Sequence, residues 1–234
     1  MANYAIVVAA GQGTRFGGET PKQFLLLHDR PVIAHTLQRF EQSALIEKIV
    51  VVAAPAWKNY LSREIVARFQ FKKCAAVVSG GERRQDSVWA GWQALALKPK
   101  DIVVVHDAVR PLFSLLLLEK VIAACARHDG CIPALSLPDT VKQVAGEIIT
   151  ATLDRECLKL AQTPQAFRSE VLQRAFQQAQ SENIQGTDEA ALVERSGRRI
   201  CWVEGEASNL KITTPSDLDL ADFFLRQREV RSPA

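Results

Sequence analysis

Four short apolar runs punctuate the first half of the chain: Tyr4–Ala10, Ile49–Ala54, Ala75–Val78 and Ile102–Val105. Each is rich in β-formers and nearly continuous, where a strand with one wet face would alternate. That is the pattern of parallel strands covered on both sides. Between them lie amphipathic stretches of helical length, about 31–42, 56–69 and 83–97. Repeated strand–helix units predict an α/β fold with a doubly wound, mostly parallel sheet.

After Pro138 the rhythm changes. Residues 139–155, DTVKQVAGEIITATLDR, place two β-prone segments around a turn at Ala145-Gly146-Glu147, which reads as a protruding β-hairpin arm. Farther on, Ser169 is positioned to cap one helix, and another should start at Thr187 with Asp188 and Glu189 in its first turn. NLKIT reads as a strand with Leu210 and Ile212 on one face and Lys211 on the other, and TTPSD opens a last helix. No linker-like composition interrupts residues 1–234, so one domain carrying an arm over about 139–155 is expected.

Composition narrows this only a little. With 47% apolar and 24% charged residues, the chain is ordinary for a globular protein. A formal charge of +3 with no block of like charges gives no ground for nucleic-acid binding. The five cysteines lack C-x-x-C spacing, so reduced and mostly buried thiols are expected. No basic segment leads into an apolar stretch at the N-terminus, and no apolar run reaches the ~18 residues of a membrane span. A cytoplasmic protein without membrane partners is the expectation.

Candidate chemistry begins at residues 9–23, AAGQGTRFGGETPKQ. Two familiar phosphate loops fail here. The dinucleotide fingerprint finds Gly11 and Gly13 but meets Phe16 at its third glycine, and the Walker A spacing of Gly13 and Gly18 meets Glu19 where lysine is required. The loop still suits an anion, because glycines let successive N–H groups approach it, and Arg15 and Lys22 add positive charge. Downstream, SGGERRQDSV offers Gly80, Gly81 and Ser87, and VVVHDAVRP sets His106, Asp107 and Arg110 at the carboxyl end of a buried strand, where open α/β sheets bind ligands. His106, with no nucleophile motif beside it, reads as a packed histidine.

The string A-A-G-x-G-x-R-F-G followed by P-K-Q resembles the signature of nucleotidyltransferases that join a nucleoside triphosphate to a phosphorylated sugar or polyol. Taken with GGERRQDSV, VHDAVRP, DTVK, TLDR, AQTPQAF, GTDEA and NLKIT in order, the chain resembles the 2-C-methyl-D-erythritol 4-phosphate cytidylyltransferase family. The resemblance implies a Rossmann-like nucleotidyltransferase fold, CTP and a polyol phosphate as substrates, Mg²⁺ carried mainly by the CTP phosphates, and no metal held by protein ligands. It places Arg15, Lys22, Arg155 and Lys211 in catalysis. Ala9, Ala10, Gly11, Gly13, Gly81, Glu82, Ser87 and Ala108 fall on nucleotide contacts, and Asp107, Arg110, Thr140, Thr163 and Thr187 on polyol phosphate contacts. In the family the arm with Thr140 and Arg155 crosses to a second subunit, implying a homodimer.

The chemistry agrees independently. A phosphate monoester, with a second pKa of ~6, is already largely dianionic at neutral pH and needs no catalytic triad. Fixed cations that bring it to a triphosphate are the larger requirement. Two alternatives stay open: a ribitol-5-phosphate cytidylyltransferase with the same motif set, and a nucleotide-binding regulatory module without catalysis.

Overall fold

The structure, a computed structural model, describes residues 1–11 and 20–231, with side chains through residue 228. β1 (Asn3–Ala9) is followed by the small pair β2 (Leu26–Leu27) and β3 (Arg30–Pro31), then α1 (Val32–Gln42) and β4 (Lys48–Ala53). A 3-10 turn at Pro55–Trp57 leads to α2 (Lys58–Tyr60), continued by a π-helical stretch Leu61–Ala67, and then β5 (Cys74–Ser79). Next come α3 (Arg84–Gln93), β6 (Ile102–Asp107), α4 (Leu115–Cys125) and β7 (Gly130–Ser136). The remaining elements are β8 (Val141–Ala145), β9 (Ile148–Leu153), β10 (Lys159–Ala161), β11 (Gln165–Arg168), α5 (Ser169–Ser181), α6 (Glu189–Arg195), β12 (Ile200–Glu204) and α7 (Pro215–Arg231).

The main sheet has the order β10-β7-β11-β6-β1-β4-β5, with β12 on the other side of β7. β5, β4, β1 and β6 run parallel, and β11 is antiparallel to both β6 and β7. The continuous apolar runs follow from two-sided burial. Ala5, Val7 and Ala9 of β1 join one core with α1 and α4, while Tyr4 and Ile6 join the other with α3, α5 and α6. Each large apolar side chain removed from water contributes roughly 1.5–3 kcal/mol, which is why neither face tolerates polar alternation. A smaller cluster of Leu27, Val109, Ile212, Ala221 and Leu225 fixes α7 against the same edge.

Several local expectations need correction. α6 starts at Glu189, two residues after Thr187, because Asp188 caps it by accepting from the Ala191 N–H at 2.9 Å. Ser169 does open α5, but its side chain makes no capping bond. NLKIT forms no strand: its Ile212 N–H donates to the Val109 carbonyl, just past β6, at 2.9 Å, and the side-chain amide of buried Asn209 donates to the Thr163 carbonyl at 2.8 Å. Two of the thiols are buried, two half-buried and Cys157 exposed, a more open set than expected. The segment after Pro138 is a hairpin, with β8 and β9 paired around Gly146 at φ +58°. Its apolar Val144, Ile148 and Ile149 are 60–69% exposed.

Candidate active site

β1 and β6 are parallel neighbours with Val8 opposite Asp107, so both end at one edge of the sheet. The chain order changes sides around β1, since β4 flanks it on one side and β6 on the other. A crevice opens at such a switch point. A first cleft of about 190 Å³ lies there, lined by the Ala9–Gly11 loop, Lys22 and Gln23 on one side and Gly81, Glu82, Arg83, Arg84 and Ser87 on the other. Asp107, Ala108 and Lys211 form its floor and far wall.

Buried Gln23 holds the loop in place. Its amide donates to the carbonyls of Ala9 at 2.8 Å and Gly11 at 3.2 Å. On the opposite side, a Cβ on Gly80 would lie 2.5 Å from the Ser87 Oγ and 2.8 Å from the Ala10 Cβ, so only glycine lets the two walls approach this closely. Ser87 is itself buried, and its hydroxyl donates to the Arg83 carbonyl at 3.2 Å.

A second cleft of about 180 Å³ adjoins the first and shares Arg84, Asp107 and Lys211 with it. Arg110, Gln162, Thr163, Gln165, Thr187 and Asp188 line the rest. The common wall is an ion cluster. The Asp107 carboxylate meets Lys211 Nζ at 2.8 Å, Arg84 Nε at 3.2 Å and Arg110 Nε at 3.8 Å. Burial alone would raise its pKa, but Arg84, then Lys211 and Arg110, outweigh burial and hold the carboxyl well below the usual range. Arg84 Nη1 also donates to both oxygens of buried Glu189 at 2.7 Å.

Beneath the wall runs a chain of hydrogen bonds. The Asp107 N–H donates to Thr163 Oγ1 at 3.2 Å, Thr163 Oγ1 lies 2.9 Å from His106 Nδ1, and His106 Nε2 lies 3.0 Å from the Arg110 carbonyl. A neutral histidine with its proton on Nε2 satisfies every link, because Nδ1 then accepts from the threonine. Burial between the rings of Phe40 and Phe113 lowers its pKa to about 3. His106 is thus a packed scaffold residue without a free proton to offer.

The first cleft therefore gathers Ala9, Ala10, Gly11, Lys22, Gly81, Glu82, Ser87 and Ala108. The second gathers Arg110, Thr163 and Thr187, and Asp107 and Lys211 belong to both. Gly13 and Arg15 lie outside the described residues. Thr140 and Arg155 line neither cleft. Thr140 is exposed, and Arg155 donates to the Pro138 carbonyl and lies 3.7 Å from Glu156 on the outer side of the hairpin base. Gln23, Arg84, Glu189 and Gln162 escaped the sequence reading. All four sit inside motifs quoted for their neighbours, and the burial of Gln23, Gln162 and Glu189 that marks them is set by the fold.

Comparison with known proteins then bears on this edge as a whole. Residues 3–227 match the sequence model of a family described as "IspD: 2-C-methyl-D-erythritol 4-phosphate cytidylyltransferase". A relative of that name from Geotalea uraniireducens is 42% identical, spanning 95% of this chain and 96% of its own. One from Acidobacterium capsulatum is 43% identical over 99% of this chain and 100% of its own. Among solved structures, the Francisella tularensis protein of that name superposes with a TM-score of 0.82 at 34% identity, covering 95% of this chain and 99% of that one. The Thermus thermophilus structure gives 0.79 at 33% identity, covering 97% and 100%.

Proposed function

The chain belongs to the 2-C-methyl-D-erythritol 4-phosphate cytidylyltransferase (IspD) family, and from that premise we propose how its two clefts divide the reaction. It is a CTP-dependent nucleotidyltransferase of isoprenoid biosynthesis. It transfers the cytidylyl group of CTP to 2-C-methyl-D-erythritol 4-phosphate and releases pyrophosphate. A non-bridging oxygen of the substrate phosphate attacks the α-phosphorus, a P–O bond forms, and the bond from that phosphorus to the β-phosphate oxygen breaks. The electron pair leaves with pyrophosphate.

In our reading the first cleft takes CTP. The Ala9–Gly11 and Gly81–Glu82 backbones, Ser87 and Ala108 surround the nucleoside, and Lys22, joined by Arg15 and Gly13 of the loop, meets the triphosphate. The second cleft takes the polyol phosphate through Arg110, Thr163 and Thr187. The observation that carries this division is the shared wall: Lys211, 2.8 Å from Asp107, faces both clefts. A cation there sits between two anions that must approach each other, where its charge offsets their repulsion. Magnesium enters with CTP as part of the substrate. Asp107 is already engaged by three cations, which leaves it poorly suited to hold a metal.

Thr140 and Arg155 lie outside both clefts of their own chain, and the hairpin that carries them exposes apolar residues. A two-stranded hairpin alone is marginal in water. Both facts support a homodimer in which the arm delivers Arg155 and Thr140 to the partner's second cleft. Among the described residues no helix is long and apolar enough to cross a membrane, and a cytoplasmic location completes the proposal.

Pyrophosphate release from CTP, measured with methylerythritol phosphate and with ribitol 5-phosphate in parallel, tests the assignment. Turnover with the first is expected, and turnover only with the second would reverse it. In the same assay Lys22→Ala should lower kcat by ~10²–10³-fold, the scale of one lost charge-stabilising donor, with an unchanged circular dichroism spectrum. A folded Lys22→Ala variant with near-normal turnover would remove Lys22 from the triphosphate site.

A further inference from the structure

The adjacent arginines Arg83 and Arg84 have opposite fates. Arg83 turns outward, and its Nε and Nη2 both donate to Asp86 at 2.8 Å, closing the first turn of α3. Arg84 turns inward to the wall between the clefts. Its Nε donates to Asp107 and its Nη1 to both oxygens of Glu189. No described residue accepts from its remaining nitrogen, Nη2, and that atom is not shut away from solvent. Arg84 lines both clefts, so this nitrogen belongs to a side chain that stands where they meet.

Resting on the division of labour above, we propose that Arg84 contacts the reacting phosphates at this junction and that Glu189 is the residue that positions it. An arginine side chain free in solution samples many rotamers, and a cation that must be collected from them contributes little at the moment of reaction. Glu189 is 1% exposed, and among the described residues only Arg84 donates to its carboxylate. It opens α6, directly after Asp188, whose other oxygen anchors Gln165 at 2.8 Å. The guanidinium is thereby clamped on two edges, by α6 and by Asp107, and its third edge faces phosphate. The clamp has a second effect. Arg84 takes Oδ1 of Asp107, so Lys211 pairs with Oδ2. Two cations are thus held side by side on one carboxylate, as far apart as its oxygens allow.

A purely structural role, tying α3 to α6, makes a different prediction, and an apolar replacement separates the two. Exchanging a buried ion pair for packed apolar side chains is often neutral for stability. The double variant Arg84→Met/Glu189→Leu should melt near the wild type and bind CTP, measured by calorimetry without the polyol phosphate, within about threefold. Its kcat should fall ~10²-fold, the cost of a misplaced or missing reacting-centre contact. A folded double variant that turns over within threefold of wild type overturns the proposal. If the double variant does not fold, Arg84→Lys decides: it keeps the charge but cannot serve three edges, so kcat should drop at least ~10-fold, and full activity overturns the proposal. Glu189→Gln should lower kcat with little change in KM for CTP; a raised KM for CTP at normal kcat would exclude a positioning role. Wild-type protein that fails to use methylerythritol phosphate at all would instead refute the functional reading on which this rests.

Discussion

Between Lys22 and Phe24, Gln23 commits its amide hydrogens to the carbonyls of Ala9 and Gly11, so a residue without chemistry of its own sets the shape of a ligand loop. Gln23→Ala removes two hydrogen bonds of about 1 kcal/mol each. It should raise KM for CTP roughly tenfold while kcat changes less, as a CTP titration at saturating polyol phosphate will read. His106 makes a separate test. Its pKa is lowered to about 3 by burial, so in the native state it stays neutral where the unfolded chain, near 6.5, takes a proton. Below pH 6.5 the unfolded state therefore binds more protons. This one group should cost up to about 1.4 kcal/mol of stability per pH unit as the pH falls toward 3, and nothing above neutrality. Denaturant melts at several pH values should show a shallower acid slope for His106→Gln than for wild type; an equal slope would mean that the histidine is not held neutral. These residues also mark what a sequence reading reaches. The histidine's packed role follows from its place in an apolar strand, whereas the Arg84–Glu189 contact joins positions 105 apart and only the fold brings it about.

The elements that read most clearly in the sequence are those with a simple burial geometry. β1, β4 and β6 are buried on both faces, so their apolar runs are unbroken; β5, at the sheet's edge, is only partly buried, yet all four have limits within two residues of expectation. α4 and β7 lie in a stretch for which the sequence yields no assignment. SLLLLEKVIAAC is apolar enough for either periodicity, and β10 and β11 are too short to carry any. The sequence places Lys211 on a strand, but its segment is instead pinned by the Ile212 N–H on the Val109 carbonyl, by buried Asn209, whose amide donates to the Thr163 carbonyl and whose own carbonyl accepts from Arg110, and by Ile212 in the small core beneath α7. Its outward aim survives because alternation needs only extended backbone. α3 shows how tightly an element can be set. A Cβ at Gly91 would meet Ile6 Cγ2 at 2.6 Å and Val52 Cγ2 at 2.9 Å, with β1 and β4 on the far side. Gly91→Val should therefore lower stability by about 1–3 kcal/mol through overpacking, and, by lifting the helix that starts at Arg84, lower kcat as well. A variant with unchanged melting would show that the helix shifts freely on the sheet.

At the scale of the whole molecule, the proposed exchange of arms between subunits can be read by complementation. Arg155→Ala and Lys211→Ala homodimers should each be nearly inactive, the first losing the polyol phosphate step more than CTP binding. If arms cross, a mixed dimer restores one intact site from two damaged chains. Equal amounts exchanged at random should then regain about a quarter of wild-type activity by site counting, whereas arms that serve their own chain regain none. The wall common to the two clefts carries a consequence for ligand design. A molecule that joins a nucleotide-like half to a polyol-phosphate-like half across Arg84, Asp107 and Lys211 makes its second docking step intramolecular. The second half then arrives at an effective concentration on the order of millimolar, for a short flexible tether. The reaction product is such a molecule. On the proposed division of the clefts it spans the same wall, so a half that lets go is held close enough to rebind, and a stable mimic of it should outlast either substrate in residence.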